Sequence, residues 1–488
     1  MKISVRFYKL FETVAILLII VACFGVRLYK ISQPVADWHS WRQVDTASVT
    51  RIFMDRGLNL LNPQYYDVSS IQTGYYNGEG LRLVEFPVFN FFHYIFAKAL
   101  PFVSLEVSGR LTSIVASVIT TYLLFLIGKK LVGSMAGLVS AFYFAFMPFN
   151  IFFSRVILPE PMATMFAILG VYLFMKYISS ESKIFLFTAA IAFALGILVK
   201  PFVAFYGVVP VYLAIRKYGI IGTIFNIPLL IALDIAMIPF FIWRIYIFDK
   251  VVGIPAFSWM FNGDGIRFRP SFWRWIFGER LGILILGIWG MIPFGFGLLK
   301  RDKYGFVHHF FLIGMFLYVS IIATANVRHD YYQTIAIPAV ALTLGIGASE
   351  MLNYKKLRQR IGSFFLLSFC TFLMFGISFF QVKEYYKINH SEFIRAGQIL
   401  DSIAPKDAKV VAPDNGNTVL LYYTKRFGWP AVDRSIDEII ALGGRYFIST
   451  AMNDTDSVNF KKRFEMVYSD PQFFILDLSK EIKTNNKK

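Results

Sequence analysis

The stretch Trp41-Arg42-Gln43-Val44-Asp45-Thr46 combines rings, a cation and a carboxylate just after the first long apolar segment of the chain. It lies in a polar loop, 30–108, that is far longer than a structureless connection normally is, and such loops usually carry function. Aromatic rings stack on sugars and a guanidinium binds phosphate. Asp45 is therefore a candidate catalytic carboxylate. The structural alternative is that Asp45 caps a short helix or pairs with Arg42 or Arg51.

The composition is that of a membrane protein. Of 488 residues, 56% are hydrophobic, 18% aromatic and only 16% charged, which suits many membrane spans with some solvated sequence. The net charge of +18 is expected to anchor cytoplasmic loops to anionic membrane lipids. No nucleic acid is expected as a partner, because the basic residues are scattered between apolar blocks. The two cysteines, Cys23 and Cys370, lie in such blocks and leave no disulfide framework or cysteine-based zinc site.

The apolar blocks predict a polytopic α-helical membrane protein with about 11 transmembrane helices. The blocks lie at about 11–29, 109–128, 134–152, 162–178, 184–199, 202–215, 220–243, 281–299, 306–325, 334–352 and 361–381. The first block could be taken for a signal peptide, but it is long enough to span and lacks a small-residue cleavage site, so we expect a retained helix. A further run, 86–102, contains Pro87, His93 and Lys98, which favours an interfacial helix on the outer side.

Basic residues sort the connections between these blocks. If 86–102 does not cross, alternate connections collect lysines and arginines on the side of the basic N-terminus, which is then predicted to be cytoplasmic. The segments that face out are then the tail after 382 and the loops 30–108, 153–161, 244–280 and 326–333. The most unusual polar residues of the chain all fall on this outer face.

The chain changes character after the polytopic domain, which is expected over 1–382 and includes the outer loop. Residues 383–480 predict a small extracytoplasmic α/β domain, with a helix over Ser391–Ile403 that Ser391 caps. Three short strands are expected in it, at 408–412, 445–450 and 472–478. The polar end, 481–488, is expected to be disordered.

Two acidic motifs accompany Asp45 in the outer loops. Glu85 precedes Phe-Pro at the start of the interfacial run, where it either contacts substrate or only interacts with the helix dipole. Arg155 and Glu160 lie in a very short outer loop, in which prolines on both sides of Glu160 fix its backbone. A surface ion pair between them would contribute little. We favour a functional site close to the interior of the bundle.

Cations and rings stand at other outer ends of the spans. Lys200, in Val-Lys-Pro-Phe, either takes part in the site or only extends to the headgroups. Arg328-His329-Asp330-Tyr331-Tyr332-Gln333 places a guanidinium, an imidazole and two phenols in one connection, which favours an anion pocket. Cations neutralise a phosphate leaving group, and a carboxylate accepts the proton of an attacking hydroxyl. The set therefore suits group transfer from a lipid-phosphate donor.

Five motifs in order resemble the bacterial ArnT-like, family 39-type glycosyltransferases of the GT-C class. The class includes the dolichyl-phosphate-mannose protein mannosyltransferases and the lipid A aminoarabinose transferases. The motifs are Trp-Arg-Gln-x-Asp-Thr at 41–46, Glu-Phe-Pro at 85–87, Ser-Arg-x-x-x-Pro-Glu at 154–160, Val-Lys-Pro at 199–201 and His-x-Tyr-Tyr-Gln at 329–333. Each motif alone is weak, the ordered set is fairly specific, and the resemblance covers roughly residues 10–380.

The resemblance implies inverting transfer of one sugar from a polyprenyl-phosphate-linked sugar to a cell-envelope acceptor, which is a lipid, glycan or protein. The first catalytic acid of the family falls on Asp45 and the second on Glu160, where relatives often have Asp. Many relatives have a second acid beside the first, but Val44 and Thr46 stand there, which weakens the case for a divalent metal and leaves it open. Donor-phosphate or substrate-binding roles are expected for Arg42, Glu85, Arg155, Lys200, Arg328, His329, Tyr331 and Tyr332.

Two other functions stay open on the sequence alone. A flippase or transporter of lipid-linked sugars would place ionisable groups at mid-membrane and often has two related halves. Such a depth is expected mainly for Asp234, and no repeat is found. A glycan polymerase or ligase shares the chemistry but uses a pyrophosphate donor.

Overall fold

A computed structural model of the chain describes residues 2–482, with side chains from residue 7 onward. Its α-helices, in chain order, are α1 (Lys2–Arg27), α2 (Ser40–Arg56), α3 (Val88–Ala99), α4 (Leu105–Leu131), α5 (Ser134–Phe146), α6 (Pro148–Phe153), α7 (Glu160–Ser180), α8 (Lys183–Val199), α9 (Val208–Ile224), α10 (Ile227–Tyr246), α11 (Trp259–Asn262), α12 (Pro270–Trp273), α13 (Met291–Leu299), α14 (Val307–Ile321), α15 (Ala323–Arg328), α16 (Ile337–Met351), α17 (Leu357–Val382), α18 (Ser391–Ile403), α19 (Val419–Thr424), α20 (Ile436–Ala441) and α21 (Thr455–Arg463). The 3-10 segments are Pro201–Gly207, Val251–Gly253, Gly263–Phe268, Asp330–Ala336 and Lys383–Tyr386, and a π-helical segment covers Arg274–Ile285. The strands are β1 (Lys409–Val411), β2 (Gly428–Trp429), β3 (Gly444–Ser449), β4 (Phe464–Ser469) and β5 (Phe474–Glu481).

Seven helical stretches within residues 2–482 are long and apolar enough to cross a membrane. They are Phe7–Arg27, Leu105–Leu131, Glu160–Ser180, Pro201–Ile224, Ile227–Tyr246, Asp330–Met351 and Leu357–Ile403. Three shorter apolar helices, α5, α8 and α14, accompany them. The chain is therefore a multi-pass membrane protein, as predicted. The predicted number of about 11 spans is not confirmed.

The first of two compact units holds most of these helices and comprises Met1–Ile31, Gly109–Ile245 and Phe257–Tyr385. Within it α7 packs along α8, and α16 packs against both α5 and α13. A glycine permits the approach of α16 to α13, because a Cβ at Gly347 would lie 1.8 Å from the carbonyl oxygen of Pro293. Small residues allow apolar helices to pack this closely inside a membrane protein.

The second unit comprises Ser32–Ser108, Tyr246–Ala256 and Tyr386–Lys488, so it contains the long outer loop and the C-terminal residues. Its five-stranded sheet has the order β2-β1-β3-β5-β4. Strand β1 is parallel to β2 and β3, whereas β5 is antiparallel to β3 and β4. The three predicted strands correspond to β1, β3 and β5. Helix α18 begins where predicted, but its N-cap is His390 in the left-handed conformation and not Ser391.

The outer loop joins the edge of this sheet. The backbone N–H of Val68 donates to the carbonyl oxygen of Gly428, and the N–H of Gly428 donates to that of Tyr66, both at 2.9 Å. Val68 is fully buried in the same core as Trp429 and Phe447. The end of the chain predicted to be disordered, 481–488, lies outside the described residues except for its first two, and β5 reaches Glu481.

Candidate active site

Helix α2 carries Asp45 near its start, within the second unit. Every side chain from Arg42 to Thr50 is buried, so protein encloses the polar residues of the motif. The Asp45 side chain is 0% exposed, and its Oδ2 lies 2.8 Å from Nη2 of Arg82. The Thr418 hydroxyl donates a 2.7 Å hydrogen bond to Asp45 Oδ1. A buried carboxylate needs such partners, because transfer of its charge out of water is otherwise very unfavourable.

Arg82 is fixed in turn by its surroundings. Its Nη1 donates to Oε1 of Gln72 at 2.5 Å, and its guanidinium lies over the ring of Tyr65, 4.8 Å from the centroid. An arginine that stacks on a ring and is hydrogen-bonded at one nitrogen has little rotamer freedom left. The cation beside Asp45 is therefore held in a defined position.

A second carboxylate, Asp67, lies in the same cluster. Its Oδ1 accepts a 2.8 Å hydrogen bond from the N–H of Ser69, and the Tyr65 hydroxyl is 3.4 Å from its Oδ2. Burial raises the pKa of Asp67 to about 6, and the nearby charge of Asp45 acts in the same direction. Burial likewise raises the pKa of Tyr65 well above its ordinary value. Asp67 therefore holds its proton more tightly than an exposed aspartic acid does.

The other ions of α2 have their own partners. Arg42 forms an ion pair with Glu85, so two of the predicted site residues do meet. Arg51 lies 2.5 Å from Glu106 and donates to the hydroxyl of Tyr422 at 2.5 Å. The two arginines proposed as structural partners of Asp45 thus pair with other acids. The Arg51 contacts hold α2 to α19 inside the second unit.

In the first unit, Glu160 is the first residue of α7 and is 0% exposed. The Nζ of Lys200 lies 3.0 Å from its Oε1. A helix N-terminus favours a carboxylate, and the lysine adds an opposite charge. Lys200 also lies 5.4 Å from the ring centroid of Tyr332. Lys200 is therefore not a lysine that extends to the headgroups, and Glu160 is not part of a surface ion pair.

The remaining predicted cations of the first unit have different environments. Arg155 is fully buried, and its Nη1 donates to the carbonyl oxygens of Tyr29 and Lys30 at 2.9 Å each. Arg328 is exposed and lies over the ring of Trp259, 5.5 Å from the centroid. Arg155 therefore stabilises the backbone that follows α1. Arg328, in contrast, is accessible to a ligand.

The connection after Arg328 forms a stack of rings. His329 packs on Tyr331 with centroids 5.6 Å apart, and Tyr331 stacks on Tyr332 at 4.6 Å. Between them Asp330 is buried and accepts a 2.6 Å hydrogen bond from the hydroxyl of Tyr385. The predicted anion pocket thus also contains a buried acid, which an anion would have to avoid.

A divalent metal does not fit these carboxylates well. Within residues 2–482 no three His, Cys, Asp or Glu side chains are grouped as a metal site requires. An arginine stands 2.8 Å from Asp45 and a lysine 3.0 Å from Glu160, where a second cation would be repelled.

The helical unit and the α/β unit together define the class. The chain has the GT-C fold of membrane glycosyltransferases, as the resemblance implied, because solved structures of that class match it over nearly its whole length. Residues 85–246 match the family model of dolichyl-phosphate-mannose-protein mannosyltransferase. A comparison with curated protein sequences gives no significant match.

Three of the similar structures illustrate the range of the class. ArnT from Cupriavidus metallidurans bound to undecaprenyl phosphate superposes with a TM-score of 0.64 at 10% identity, over 94% of this chain and 97% of that one. The oligosaccharyltransferase AglB from Archaeoglobus fulgidus, with an inhibitory peptide and a dolichol-phosphate, gives 0.59 at 10% identity, over 98% and 75%. The arabinofuranosyltransferase AftD from Mycobacteria gives 0.58 at 12% identity, over 96% and 40%.

Four residues of the Asp45 cluster were not predicted: Arg82, Tyr65, Asp67 and Thr418. The first three lie in the same outer loop as Asp45, and Arg82 stands between two leucines that are themselves buried. An arginine between two apolar residues was the feature of the sequence that could have identified Arg82 as a buried cation. Thr418 is 373 positions from Asp45 and carried no signal in the sequence.

Proposed function

We propose that this protein is a membrane glycosyltransferase that moves one sugar from a polyprenyl-phosphate-linked sugar to a hydroxyl of a cell-envelope acceptor. The observation that carries the proposal is the buried, ion-paired Asp45 in the first outer loop of a GT-C fold. The family match over 85–246 and the lipid phosphates bound in two similar structures support the same donor class.

In the proposed reaction Asp45 is the general base. The acceptor hydroxyl loses its proton to the carboxylate while its oxygen bonds to the anomeric carbon of the sugar. The bond from that carbon to the phosphate oxygen breaks, and polyprenyl phosphate leaves with the electron pair, so the anomeric configuration inverts. Each carboxylate oxygen has two lone pairs, so Asp45 can still accept a hydrogen bond from the acceptor hydroxyl beside its contacts with Arg82 and Thr418. These two partners orient the base.

The cations of the first unit are proposed to bind the donor phosphate. Lys200 and Arg328 would neutralise charge on the leaving group, which is where electrostatic stabilisation accelerates such a reaction. Tyr331, Tyr332 and His329 would add hydrogen bonds. Other polar side chains are proposed to position substrates and not to exchange protons: Glu160, Arg155, Arg42 and Glu85.

The site is proposed to act on the extracytoplasmic side of the cell (inner) membrane. Basic connections between the spans favour a cytoplasmic N-terminus, and the C-terminal domain would then face out. A flippase is less well supported, because Asp234, the one acid expected at depth, is exposed on the surface of α10 and not enclosed. A pyrophosphate-donor polymerase or ligase stays the second candidate, since the same base would serve it.

The test is sugar transfer by the purified protein in nanodiscs, with fluorescent polyprenyl-phosphate sugars as donors and extracted envelope fractions as acceptors. We expect Asp45→Asn to lower turnover at least roughly 100-fold, as loss of a general base does. Asp55→Asn is the matched control, because Asp55 is exposed on the same helix. Undiminished transfer by Asp45→Asn would remove Asp45 from the mechanism.

The alternatives give other results in the same assay. A flippase would move the donor between leaflets without releasing polyprenyl phosphate. A polymerase or ligase would prefer a polyprenyl-pyrophosphate sugar, so that donor would inhibit transfer from the monophosphate in direct competition.

A further inference from the structure

One loop of the C-terminal domain reaches the proposed base. The β1–α19 loop, which we define as residues 412–418, runs from the end of β1 to Thr418, whose hydroxyl donates to Asp45. Three residues lie between Asp414 and Thr418 along the chain, so the Cα atoms of Asp414 and Thr418 are at most roughly 14 Å apart. The loop therefore contacts Asp45 through Thr418, and its other side chains stand within a few residues of that contact.

The loop stands at a position in the sheet that suits ligand binding. Strand β1 lies between β2 and β3 and is parallel to both. The chain leaves β1 towards β2 on one side and later enters β3 on the other side. In open α/β sheets, ligands bind outside the carboxyl ends of the strands where the order reverses in this way.

The backbone of the loop is held firmly. The N–H groups of Asp414 and Gly416 both donate to the carbonyl oxygen of Pro430, at 2.8 and 3.1 Å. Asn415 and Gly416 adopt positive φ of 51° and 84°, a tight turn that asparagine and glycine tolerate. The loop is thus pre-organised and does not need a ligand to order it.

Asp414 carries an unsatisfied hydrogen-bond acceptor in this loop. Its Oδ2 is buried and accepts no hydrogen bond from any described residue. Burial also raises the pKa of Asp414 to about 6. An acceptor atom left unsatisfied in a protein interior is unfavourable, and a ligand hydroxyl would satisfy it. Asn415, next to it, is exposed and offers an amide.

We propose that the β1–α19 loop is the acceptor subsite, with Asp414 and Asn415 binding hydroxyl groups of a neutral, polyhydroxylated glycan. This inference rests on the proposed function, since it takes Asp45 as the base that meets the acceptor. A phosphorylated acceptor does not fit, because residues 412–418 contain a carboxylate and no lysine or arginine. The Asp414 carboxylate can accept hydrogen bonds from sugar hydroxyls, and the Asn415 amide can both accept and donate them.

The test measures sugar binding and donor turnover on the same preparations of the full chain in nanodiscs. The binding probes are maltotriose, cellotriose and methyl glycosides of common hexoses and pentoses, with glucose 6-phosphate as the charged comparison, and saturation-transfer NMR gives the affinities. We expect Asp414→Ala to weaken binding of a neutral probe roughly 10- to 100-fold, as loss of a charged hydrogen-bond partner does. Asp407→Ala, at the other end of β1 and exposed, is the matched control and should bind as the unmodified protein does.

The outcomes separate this inference from the proposed function. If no neutral probe binds, if glucose 6-phosphate binds more tightly, or if Asp414→Ala binds as the control does, the subsite is refuted. The Asp45→Asn variant decides the base independently, because its turnover is measured without reference to Asp414. A second variant, Asn415→Ala, guards against misfolding at Asp414, since Asn415 is exposed and its loss should still weaken binding several-fold.

Discussion

Arg82→Met tests whether the ion pair at Asp45 is as important as its burial indicates. Methionine keeps most of the hydrocarbon of the arginine and removes its charge. The Asp45 carboxylate, with 0% exposure, would then have lost its cation at 2.8 Å and kept only the Thr418 hydroxyl. Removal of one member of a buried pair is costly because the other charge stays buried.

The magnitude follows from the geometry. At this separation the attraction between the two charges is roughly 6 kcal/mol at an effective dielectric constant of about 20. Measured losses for broken buried pairs are roughly 3–5 kcal/mol, which is the expected cost here. The double variant Asp45→Asn/Arg82→Met removes both charges of the pair, so it should be more stable than Arg82→Met alone by at least about 2 kcal/mol.

The assay is hydrogen exchange of the solubilised protein at neutral pH, followed by mass spectrometry of peptides from α2. A loss of 3–5 kcal/mol in local opening free energy corresponds to exchange that is roughly a hundred- to several-thousand-fold faster. Lys480→Met is the control, because Lys480 is 57% exposed in its pair with Glu465 and such surface pairs contribute roughly 0–1 kcal/mol.

Two results would refute this reasoning. Arg82→Met could exchange no faster than Lys480→Met, which would mean that the pair contributes nothing to the stability of α2. Alternatively, the double variant could be as unstable as Arg82→Met, which would mean that the loss came from the contacts of Arg82 with Tyr65 and Gln72 and not from the unbalanced charge.

Three further outcomes are expected. Glu160→Gln removes the carboxylate that pairs with Lys200, so the thermal midpoint of the solubilised protein should fall by several degrees, and an unchanged midpoint would contradict the pairing. The folded pKa of Asp67, about 6, exceeds its ordinary 3.8, so the free energy of unfolding should fall by at most roughly 3 kcal/mol as pH rises through 6. Asp67→Asn should abolish this fall when unfolding is measured at a series of pH values. Burial lowers the pKa of His93 from 6.5 to about 4, so stability should instead be lost as pH falls through that interval, and His93→Asn should remove the loss.

The polytopic fold could be predicted because hydrophobic length is a local property of the sequence. The spans follow from uninterrupted apolar blocks, and the class followed from five short motifs read together in chain order. The exact number of spans could not be obtained this way, since α5, α8 and α14 are apolar but short, and length alone does not decide whether such helices cross. The cap of α18 was predicted one residue late because His390 adopts a left-handed conformation that its sequence does not require.

The α/β unit was harder to predict because its strands depend on distant partners. Strand β2 has only two residues, Gly428 and Trp429, too few for any alternation of polar and apolar side chains. It exists because it pairs with β1 on one side and with Val68 of the outer loop on the other. A pattern search treats the loop and the tail as separate segments, whereas their backbone hydrogen bonds join them in one unit.

The same reasoning explains which part of the candidate site the sequence revealed. Asp45 and Glu160 could be identified because the motifs that contain them are short and unusual. Their cations could not be assigned with equal success: Glu160 takes Lys200, which was predicted only as a separate ligand, and Asp45 takes Arg82, which no motif includes. Each acid is thus neutralised inside its own unit. Asp45 has a cation and a hydroxyl from segments that are far apart in the sequence. Two separate constraints on a single carboxylate fix its orientation as well as its charge, and orientation is what a general base requires.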